Sequence, residues 1–315
     1  MKIDMRDAFF NKLVEKATLD SNIIILSADH GAMALNEFAL SHPSQYINIG
    51  ISEQNMVGVA SGLALSGKVV FIYGIAPFVS LRVLEQLTID VAALNLPVNV
   101  ISVGAGFTYS TDGQTHLGVQ DMAAIMTIPG ISILNSSDPI NTSDFVELCL
   151  ENRNPHYIRI EKEKLASFDR KNSEYLEDGF SVIHDGGLDL LIISTGSISH
   201  SVSEIIQNLF GTQSSFPTHI DLHNIKPLYE EPLVNLISRF NNLILIEESY
   251  QGALDSIVAK LCLQIGWKGA SKSIYIKEMP IFIGTNREML KDLQGLGNSN
   301  ISSVITEFIQ KNISK

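Results

Sequence analysis

Short apolar runs rich in β-branched residues alternate, in the first half of the chain, with segments whose apolar positions recur at helical spacing. The apolar runs cover residues 23–26, 46–51, 69–73, 98–103, 131–135 and 156–160, and the helical segments cover residues 5–17, 54–65 and 79–94. Each run is almost continuously apolar, which is typical of parallel strands covered on both faces. The alternation therefore predicts a doubly wound α/β fold.

A second α/β block follows a segment in which this pattern fails. Residues 161–189 are charged and irregular, which favours an interdomain linker or a strap over the surface. Beyond them, further strands and helices are predicted at 190–194, 201–209, 219–222, 233–240, 243–247, 253–264, 274–276 and 302–309. We therefore predict a first domain at 1–165, a linker at 166–187 and a smaller domain with a mostly parallel sheet at 188–315.

Composition narrows the class of protein without indicating its chemistry. The 315 residues suffice for two domains, and 45% of them are hydrophobic, so a packed core is expected. A net charge of −12 argues against binding to nucleic acid or to an anionic membrane surface. Two cysteines are too few for a disulfide framework, and the sequence shows neither a signal peptide nor an apolar run of about 18 residues. We therefore expect a cytoplasmic protein without membrane association.

Two glycine-containing loops follow predicted strands, at the edge where α/β proteins bind ligands. They are Gly104-Ala105-Gly106 and Thr195-Gly196-Ser197. Neither fits the dinucleotide-binding fingerprint, and the chain has no Walker A sequence. A tight turn is the simpler interpretation of the second loop, with phosphate binding as the alternative.

Other segments place acidic and histidine side chains beside the predicted strands. Glu53 opens a helix after residues 46–51, either to complement the helix dipole or to face a ligand, with Ser52 as a candidate N-cap. Asp29 either contacts a ligand or caps the next helix. Asp112 and His116 either converge on a polar substrate, where histidine would shuttle a proton, or only close a turn and cap a helix.

Taken in order, these segments resemble the thiamine diphosphate (ThDP) enzymes of the transketolase group over almost the whole chain. The matching segments are Ser27-Ala28-Asp29, Gly50-Ile51-Ser52-Glu53-Gln54-Asn55-Met56 (family pattern G-I-x-E-x-x-M), Ile75-Ala76-Pro77-Phe78 with Arg82 and Gln86, Asp112-Gly113-Gln114-Thr115-His116 (D-G-x-T-H), residues 190–196 and Asn224-Ile225-Lys226-Pro227-Leu228. The resemblance implies a pyrimidine-binding domain followed by a transketolase C-terminal domain.

The resemblance also implies which residues bind the cofactor. Glu53 is expected to hydrogen-bond the aminopyrimidine ring of ThDP and to favour its imino tautomer, which generates the reactive ylid. Phe78 is expected to pack on the pyrimidine face, with Arg82 close to the same ring. Asp29 is expected near the thiazolium. Glu53 is thus both a catalytic and a cofactor-binding residue in this interpretation.

Transfer of a two-carbon ketol unit between sugars is the activity that the resemblance implies. Asp112 would bind a substrate hydroxyl, and His116 would bind or relay a proton at the oxygen where the bond changes. Arg6 and Arg159 match family arginines that grip a sugar-phosphate tail, which suits a guanidinium because it donates bidentately to phosphate.

A partner subunit is implied as well, because the family's G-D-G…N motif for the Mg²⁺-diphosphate is absent from the sequence. The chain resembles the C-terminal subunit of a split transketolase, whose N-terminal subunit would supply the Mg²⁺ ligands, so no metal ligand is expected here. An α2β2 heterotetramer with its active site across the interface is the family expectation. The chain alone is expected to bind ThDP weakly or not at all.

One departure bears on the substrate. Gly104 stands eight residues before Asp112, where sugar-phosphate transketolases have a phosphate-binding histidine, and the arginine of the synthases' D-R-A-G segment is also missing. We therefore expect an unusual or modified sugar. The alternatives are an activity like that of deoxyxylulose-phosphate synthase, a subunit like the 2-oxoacid dehydrogenase β chain, which lacks D-G-x-T-H, and a non-catalytic scaffold paralogue.

Overall fold

The structure, a computed structural model, describes residues 2–211, 213–277 and 279–313. The strands in these ranges are β1 (Ile3–Asp4), β2 (Ile23–Ser27), β3 (Tyr46–Asn48), β4 (Val69–Ile75), β5 (Val98–Val103), β6 (Ser132–Asn135), β7 (His156–Ile160), β8 (Lys164–Leu165), β9 (Phe180–His184), β10 (Leu191–Thr195), β11 (Thr218–Leu222), β12 (Asn224–Lys226), β13 (Asn242–Glu247) and β14 (Ala270–Ile274). The helices are α1 (Met5–Leu19), α2 (Met33–Ser41), α3 (Glu53–Leu65), α4 (Leu84–Gln86), α5 (Asp121–Met126), α6 (Pro139–Glu151), α7 (Tyr175–Asp178), α8 (Ile198–Phe210), α9 (Glu230–Ile237), α10 (Leu254–Gln264), α11 (Arg287–Gln294) and α12 (Asn298–Asn312).

The larger sheet has the strand order β12-β6-β7-β5-β4-β2-β3. Its described neighbours run parallel except for β12, which is antiparallel to β6. Strands β2, β5 and β7 are buried along their whole length, because helices cover both faces of the sheet. The predicted doubly wound α/β fold is confirmed.

The smaller sheet has the order β14-β13-β10-β11-β9, and its described neighbours are parallel except for β9, which is antiparallel to β11. Strand β9 and helix α7 both lie inside residues 166–187, the segment predicted as a linker. The chain therefore enters the second sheet earlier than its charge pattern indicates. Strand β12 returns to the first sheet, where Asn224 pairs with Leu134, so the two halves of the chain are joined through a sheet edge.

The prediction of one regular helix over residues 79–94 is wrong in its geometry. The structure has a 3₁₀ turn at Leu81–Val83, the short α4, and a π-helical turn at Leu87–Ala92. The Thr88 hydroxyl donates to the Leu84 carbonyl at 2.7 Å, which is a local contact that competes with regular helix bonding. The irregular segment packs against α3 and so helps to shape the edge described below.

The hydrophobic core is continuous between the two sheets. One cluster extends from Val57 and Ile72 on one face of the larger sheet to Ile193 and Leu245 in the smaller sheet. A second cluster, which includes aromatic residues such as Phe9, lies on the opposite face of the larger sheet. Within residues 2–211, 213–277 and 279–313, no helix combines the length and the apolar character needed to cross a bilayer.

Candidate active site

The candidate site lies at the carboxyl edge of the larger sheet, where the loops after β2, β3, β4 and β5 meet because these parallel strands are neighbours. Strand β3 ends at Asn48, earlier than the predicted limit of residue 51. The Asn48 side chain explains this end, because its Oδ1 accepts from the backbone N–H of Asp29 and of Gly50. Gly50 then turns the chain with a φ of +73° into helix α3.

Glu53 is the first residue of α3, and only 3% of its side chain is exposed. Its Oε2 accepts an ion-paired hydrogen bond from Arg82 Nη1 at 2.8 Å. Its Oε1 is buried and has no hydrogen-bond partner among the described residues. Ser52 is the N-cap residue of α3, as predicted, although its hydroxyl donates to the Ile49 carbonyl at 3.1 Å and makes no side-chain capping bond.

Phe78 is the centre of an aromatic and cationic cluster beside Glu53. The Arg82 guanidinium carbon lies 4.0 Å from the Phe78 ring centroid, in cation–π contact. The His116 ring meets Phe78 edge to face at a centroid distance of 5.1 Å, and the His30 ring lies 6.1 Å away. The structure therefore brings together Glu53, Phe78, Arg82 and His116, which the sequence separates by up to 63 positions.

Asp29 and His30 occupy the loop after β2. Asp29 has a φ of +58° and its Oδ1 accepts from Asn48 Nδ2 at 3.2 Å, whereas the N-cap of α2 is Ala32. The alternative in which Asp29 caps the next helix is therefore wrong. Burial lowers the pKa of His30, although the negative charges of Glu53 and Asp29 oppose this shift. A neutral His30 is expected near pH 7, with its Nδ1 buried and without a partner among the described residues.

Asp112 and His116 lie on a loop that closes on itself. Gly106 and Gly118 exchange backbone hydrogen bonds at 2.8 and 3.1 Å, and the residues between them form two 3₁₀ turns. Asp112 is exposed, and His116 is half-buried with its Nδ1 2.9 Å from the Thr115 hydroxyl. Asp112 is thus open to solvent, and His116 is the side chain of this loop that contacts Phe78.

The two predicted phosphate-gripping arginines differ in their environment. Arg6 is near the surface at the start of α1, bonded to Asp4, and its charge acts on the Tyr73 and Tyr109 hydroxyls. Arg159 is only 2% exposed, because its Nε donates to Asp121 Oδ2 at 2.9 Å. The structure therefore places Arg159 in the core beneath the loop instead of at the open site.

Sequence reasoning gave no role to three residues of this edge: His30, Tyr109 and Lys162. Their only sequence signal is position, since His30 follows β2, Tyr109 follows β5, and Lys162 follows β7, the neighbour of β5. The arrangement suits a flat, nitrogen-containing ring, because a buried carboxylate oxygen without a partner lies beside an aromatic side chain. Across the three described ranges, no His, Cys, Asp and Glu side chains form a group of three or more that could hold a metal ion.

The fold and this edge define a transketolase-type subunit, and the chain belongs to the transketolase family. The family's pyrimidine-binding domain matches residues 1–167, and its C-terminal domain matches residues 179–301. The resemblance drawn from the sequence motifs is thereby confirmed. Members of this family depend on thiamine diphosphate.

Several curated relatives cover most of the chain. The 6-deoxy-6-sulfo-D-fructose transketolase subunit SqwH of Clostridium sp. (strain MSTE9) is 30% identical over 261 residues, which are 82% of this chain and 80% of the relative. An apulose-4-phosphate transketolase subunit of Phocaeicola vulgatus is 29% identical over 314 residues, which are 98% of each chain. A 1-deoxy-D-xylulose-5-phosphate synthase of Fusobacterium nucleatum is 30% identical over 305 residues, which are 96% of this chain but 50% of the synthase.

A solved structure shares the fold over the whole chain. It is described as a split-gene transketolase in an inactive β4 tetramer, and it superposes with a TM-score of 0.84 at 22% identity. The match covers 98% of this chain and 99% of that chain. Both halves of this chain therefore adopt the arrangement seen in a split transketolase.

Proposed function

We propose that the chain is the pyrimidine-binding subunit of a ThDP-dependent transketolase that transfers a two-carbon ketol unit between sugar substrates. The observation that carries this proposal is Glu53 Oε1, which is buried beside Phe78 and lacks a partner among the described residues. A buried polar atom without a partner costs free energy, and a ring nitrogen of a bound aminopyrimidine would supply that partner. The residues present therefore fit the cofactor.

Four side chains would hold the cofactor, three of them at its pyrimidine half. Bound ThDP supplies a nucleophilic carbon that acts as an electron sink. Glu53 would hold the proton at the pyrimidine ring nitrogen through Oε1, while Arg82 fixes Oε2 at 2.8 Å. Phe78 would offer an apolar ring face, and Asp29 would face the thiazolium half from the loop after β2.

The exposed side of the site would bind the sugar. Asp112 is free to accept a hydrogen bond from a substrate hydroxyl. His116 has its Nδ1 next to the Thr115 hydroxyl, so its Nε2 would bind or relay the proton at the reacting oxygen. Arg6 would add positive charge toward an anionic substrate, whereas Arg159 has no part here because its guanidinium is paired in the core.

We also propose that a diphosphate-binding subunit completes the site and supplies the Mg²⁺ ligands, in an α2β2 assembly in the cytoplasm. Two relatives carry the word "subunit" in their names, and the sequence has no G-D-G…N motif. Calorimetry with ThDP and Mg²⁺ tests this, and tight binding requires the partner. Tight binding by the chain alone would contradict the shared site.

The substrate is proposed to be an unusual or modified sugar. This is supported by Gly104 in place of a phosphate-binding histidine and by relatives named for 6-deoxy-6-sulfo-D-fructose and apulose 4-phosphate. A donor and acceptor screen with the complete complex tests the idea. If xylulose and ribose phosphates were the best substrates, it would be wrong.

Replacement of Glu53 tests the catalytic assignment. Glu53→Gln and Glu53→Ala should abolish most of the ketol transfer by the reconstituted complex, since neither can hold the ring proton as a carboxylate does. Glu307→Gln, which removes an exposed carboxylate from α12, is the matched control and should leave the rate unchanged. Full activity in both Glu53 variants would favour a non-catalytic scaffold.

A deoxyxylulose-phosphate-synthase-like activity is the second candidate, because a synthase is among the relatives at 30% identity. That reaction consumes pyruvate and releases CO₂, so pyruvate with D-glyceraldehyde 3-phosphate distinguishes it from ketol transfer. A 2-oxoacid dehydrogenase β-like role is disfavoured by the D-G-x-T-H segment at residues 112–116. Turnover of pyruvate in preference to ketol donors would support the synthase alternative.

A further inference from the structure

An aromatic side chain covers position 104, where sugar-phosphate transketolases have a phosphate-binding histidine. Gly104 has a φ of +100°, in the left-handed region that favours glycine. A Cβ at this position would lie 2.4 Å from Cε2 of Tyr109. The Tyr109 ring therefore occupies the volume into which a longer side chain at position 104 would extend.

The second expected contact, Arg159, is engaged elsewhere in the fold. Besides its bond to Asp121, its Nη2 donates to the backbone carbonyls of Gly118 and Glu248. These bonds use Nε and Nη2, and with only 2% of its side chain exposed the guanidinium offers very little surface to a substrate anion. Instead, Arg159 supports the loop that carries Asp112.

Tyr109 and Lys162 fill the corner that these two residues leave. Lys162 Nζ lies 4.9 Å from the Tyr109 ring centroid, and this ring lies 6.5 Å from the ring of His116. Lys162 is exposed, and it takes part in none of the salt bridges among residues 2–211, 213–277 and 279–313. Burial raises the pKa of Tyr109, against the opposing effect of the Arg6 charge, so its hydroxyl stays protonated near neutral pH and can donate a hydrogen bond.

We propose that Tyr109 and Lys162 form the subsite for the tetrahedral anionic group at the far end of the sugar substrate and thereby set its specificity. This inference rests on the proposed function. A lysine is a point charge and a tyrosine is a single donor, so the pair accepts phosphate or sulfonate without the bidentate geometry of an arginine fork. Arg6 adds a second positive charge near the same ring.

Two substitutions isolate this subsite. Lys162→Met keeps the aliphatic stem and removes the charge, and Tyr109→Phe keeps the ring over Gly104 and removes the hydroxyl. Lys272→Met is the matched control, because it removes the same charge from an exposed position on β14 in the other sheet.

The kinetic experiment uses the complex with its partner subunit and hydroxypyruvate as a donor without a distal anion. The acceptors are D-glyceraldehyde 3-phosphate and D-glyceraldehyde. Lys162→Met should raise KM for the phosphorylated acceptor by about tenfold, with kcat unchanged, because a hydrogen bond to a charged group is lost. KM for D-glyceraldehyde should stay as in the wild type. Equal changes for both acceptors would overturn the inference.

A binding experiment judges the subsite without turnover. Calorimetry of the complex compares glycerol 3-phosphate, 2,3-dihydroxypropane-1-sulfonate and glycerol. Wild-type and Lys272→Met complexes should bind one or both anions more tightly than glycerol. The anion that binds more tightly identifies phosphate or sulfonate as the natural group. Lys162→Met should bind that anion about tenfold more weakly than the wild type. Unchanged affinity in Lys162→Met overturns the subsite. Absence of ketol transfer by the wild type refutes only the proposed function.

Discussion

Arg287 is predicted to be the side chain whose loss most damages the junction between the two halves of the chain. Its guanidinium donates to Glu248 Oε1 and Oε2 at 3.1 and 3.0 Å, lies 2.7 Å from Glu161 Oε2, and reaches Glu163 Oε1 at 3.0 Å. Glu161 directly follows β7 in the first half and Glu248 follows β13 in the second. Glu248 also accepts from the backbone N–H of Phe107, which anchors the loop that carries the proposed substrate residues.

The magnitude follows from burial. Glu161 and Glu248 are 0% and 5% exposed, whereas Glu163 is 54% exposed and its pair is worth less than about 1 kcal/mol. Removing one partner of a buried ion pair costs about 3–5 kcal/mol, because the remaining charge is left uncompensated. At about 2–4 °C per kcal/mol, Arg287→Leu should lower Tm by roughly 6–20 °C.

The pH dependence gives a second, independent readout. Burial alone raises the pKa of Glu161, but the Arg287 charge and the Thr108 hydroxyl hold it below its ordinary value. The stabilisation from this pair is therefore present above the unfolded-state pKa of about 4.3 and is lost as the pH falls through the folded-state pKa. The Tm deficit of Arg287→Leu should consequently shrink as the pH falls below about 4.3, because protonation of Glu161 then removes the stabilisation from its pair with Arg287.

Thermal unfolding at pH 7 and pH 4 measures both effects. Adding Glu161→Gln to Arg287→Leu should recover part of the loss, because one uncompensated charge is removed. Arg239→Leu, at an exposed position on the surface, is the control and should change Tm by no more than about 1–2 °C. If Arg287→Leu unfolded within about 2 °C of the wild type at pH 7, the assigned role of the junction would be wrong.

Three further predictions concern other parts of the structure. Burial raises the pKa of Asp221 to about 7, above its value in the unfolded chain. The free energy of unfolding should therefore fall as the pH rises toward 7, because the buried carboxyl must then ionise. Asp221→Asn should flatten the resulting decline in the urea midpoint between pH 5 and pH 8. Gly118→Ala would place a Cβ 2.4 Å from a backbone carbonyl oxygen and should lower both Tm and activity, whereas Gly58→Ala, with open space around it on α3, should be neutral or stabilising. Arg82→Gln should raise the ThDP concentration needed for half-maximal activity. Arg82→Lys should raise this concentration less, because it keeps the positive charge that holds Glu53.

A site residue could be predicted from the sequence where one segment shows both a strand that ends at the sheet edge and a side chain of suitable chemistry. Glu53, Phe78 and His116 each follow a parallel strand whose apolar run is easily recognised, and parallel strands bring their carboxyl ends to one edge. Local pattern is enough for that conclusion. It did not reveal β9, because Phe180–His184 is a short strand within a charged stretch and is fixed only by pairing with β11.

Long-range electrostatics could not be predicted in the same way. Arg159 is in β7, and no feature of its own segment shows that Asp121 will lie 2.9 Å away and take the guanidinium into the core. Likewise, the partners of Arg287 are 39 to 126 positions distant along the chain. A buried charge is placed by whichever opposite charge the fold brings to it, since desolvation makes the unpaired alternative costly.

This difference explains why a matching motif residue need not keep its implied role. The motif at Arg159 specifies a residue type at a strand position, but its function depends on Asp121 and on the backbone carbonyls above it. Once that guanidinium supports the loop, a substrate anion needs another cation. Lys162 is exposed, lies next to Tyr109, and has no carboxylate partner within the described ranges, so the charge needed at this edge is available two residues beyond β7.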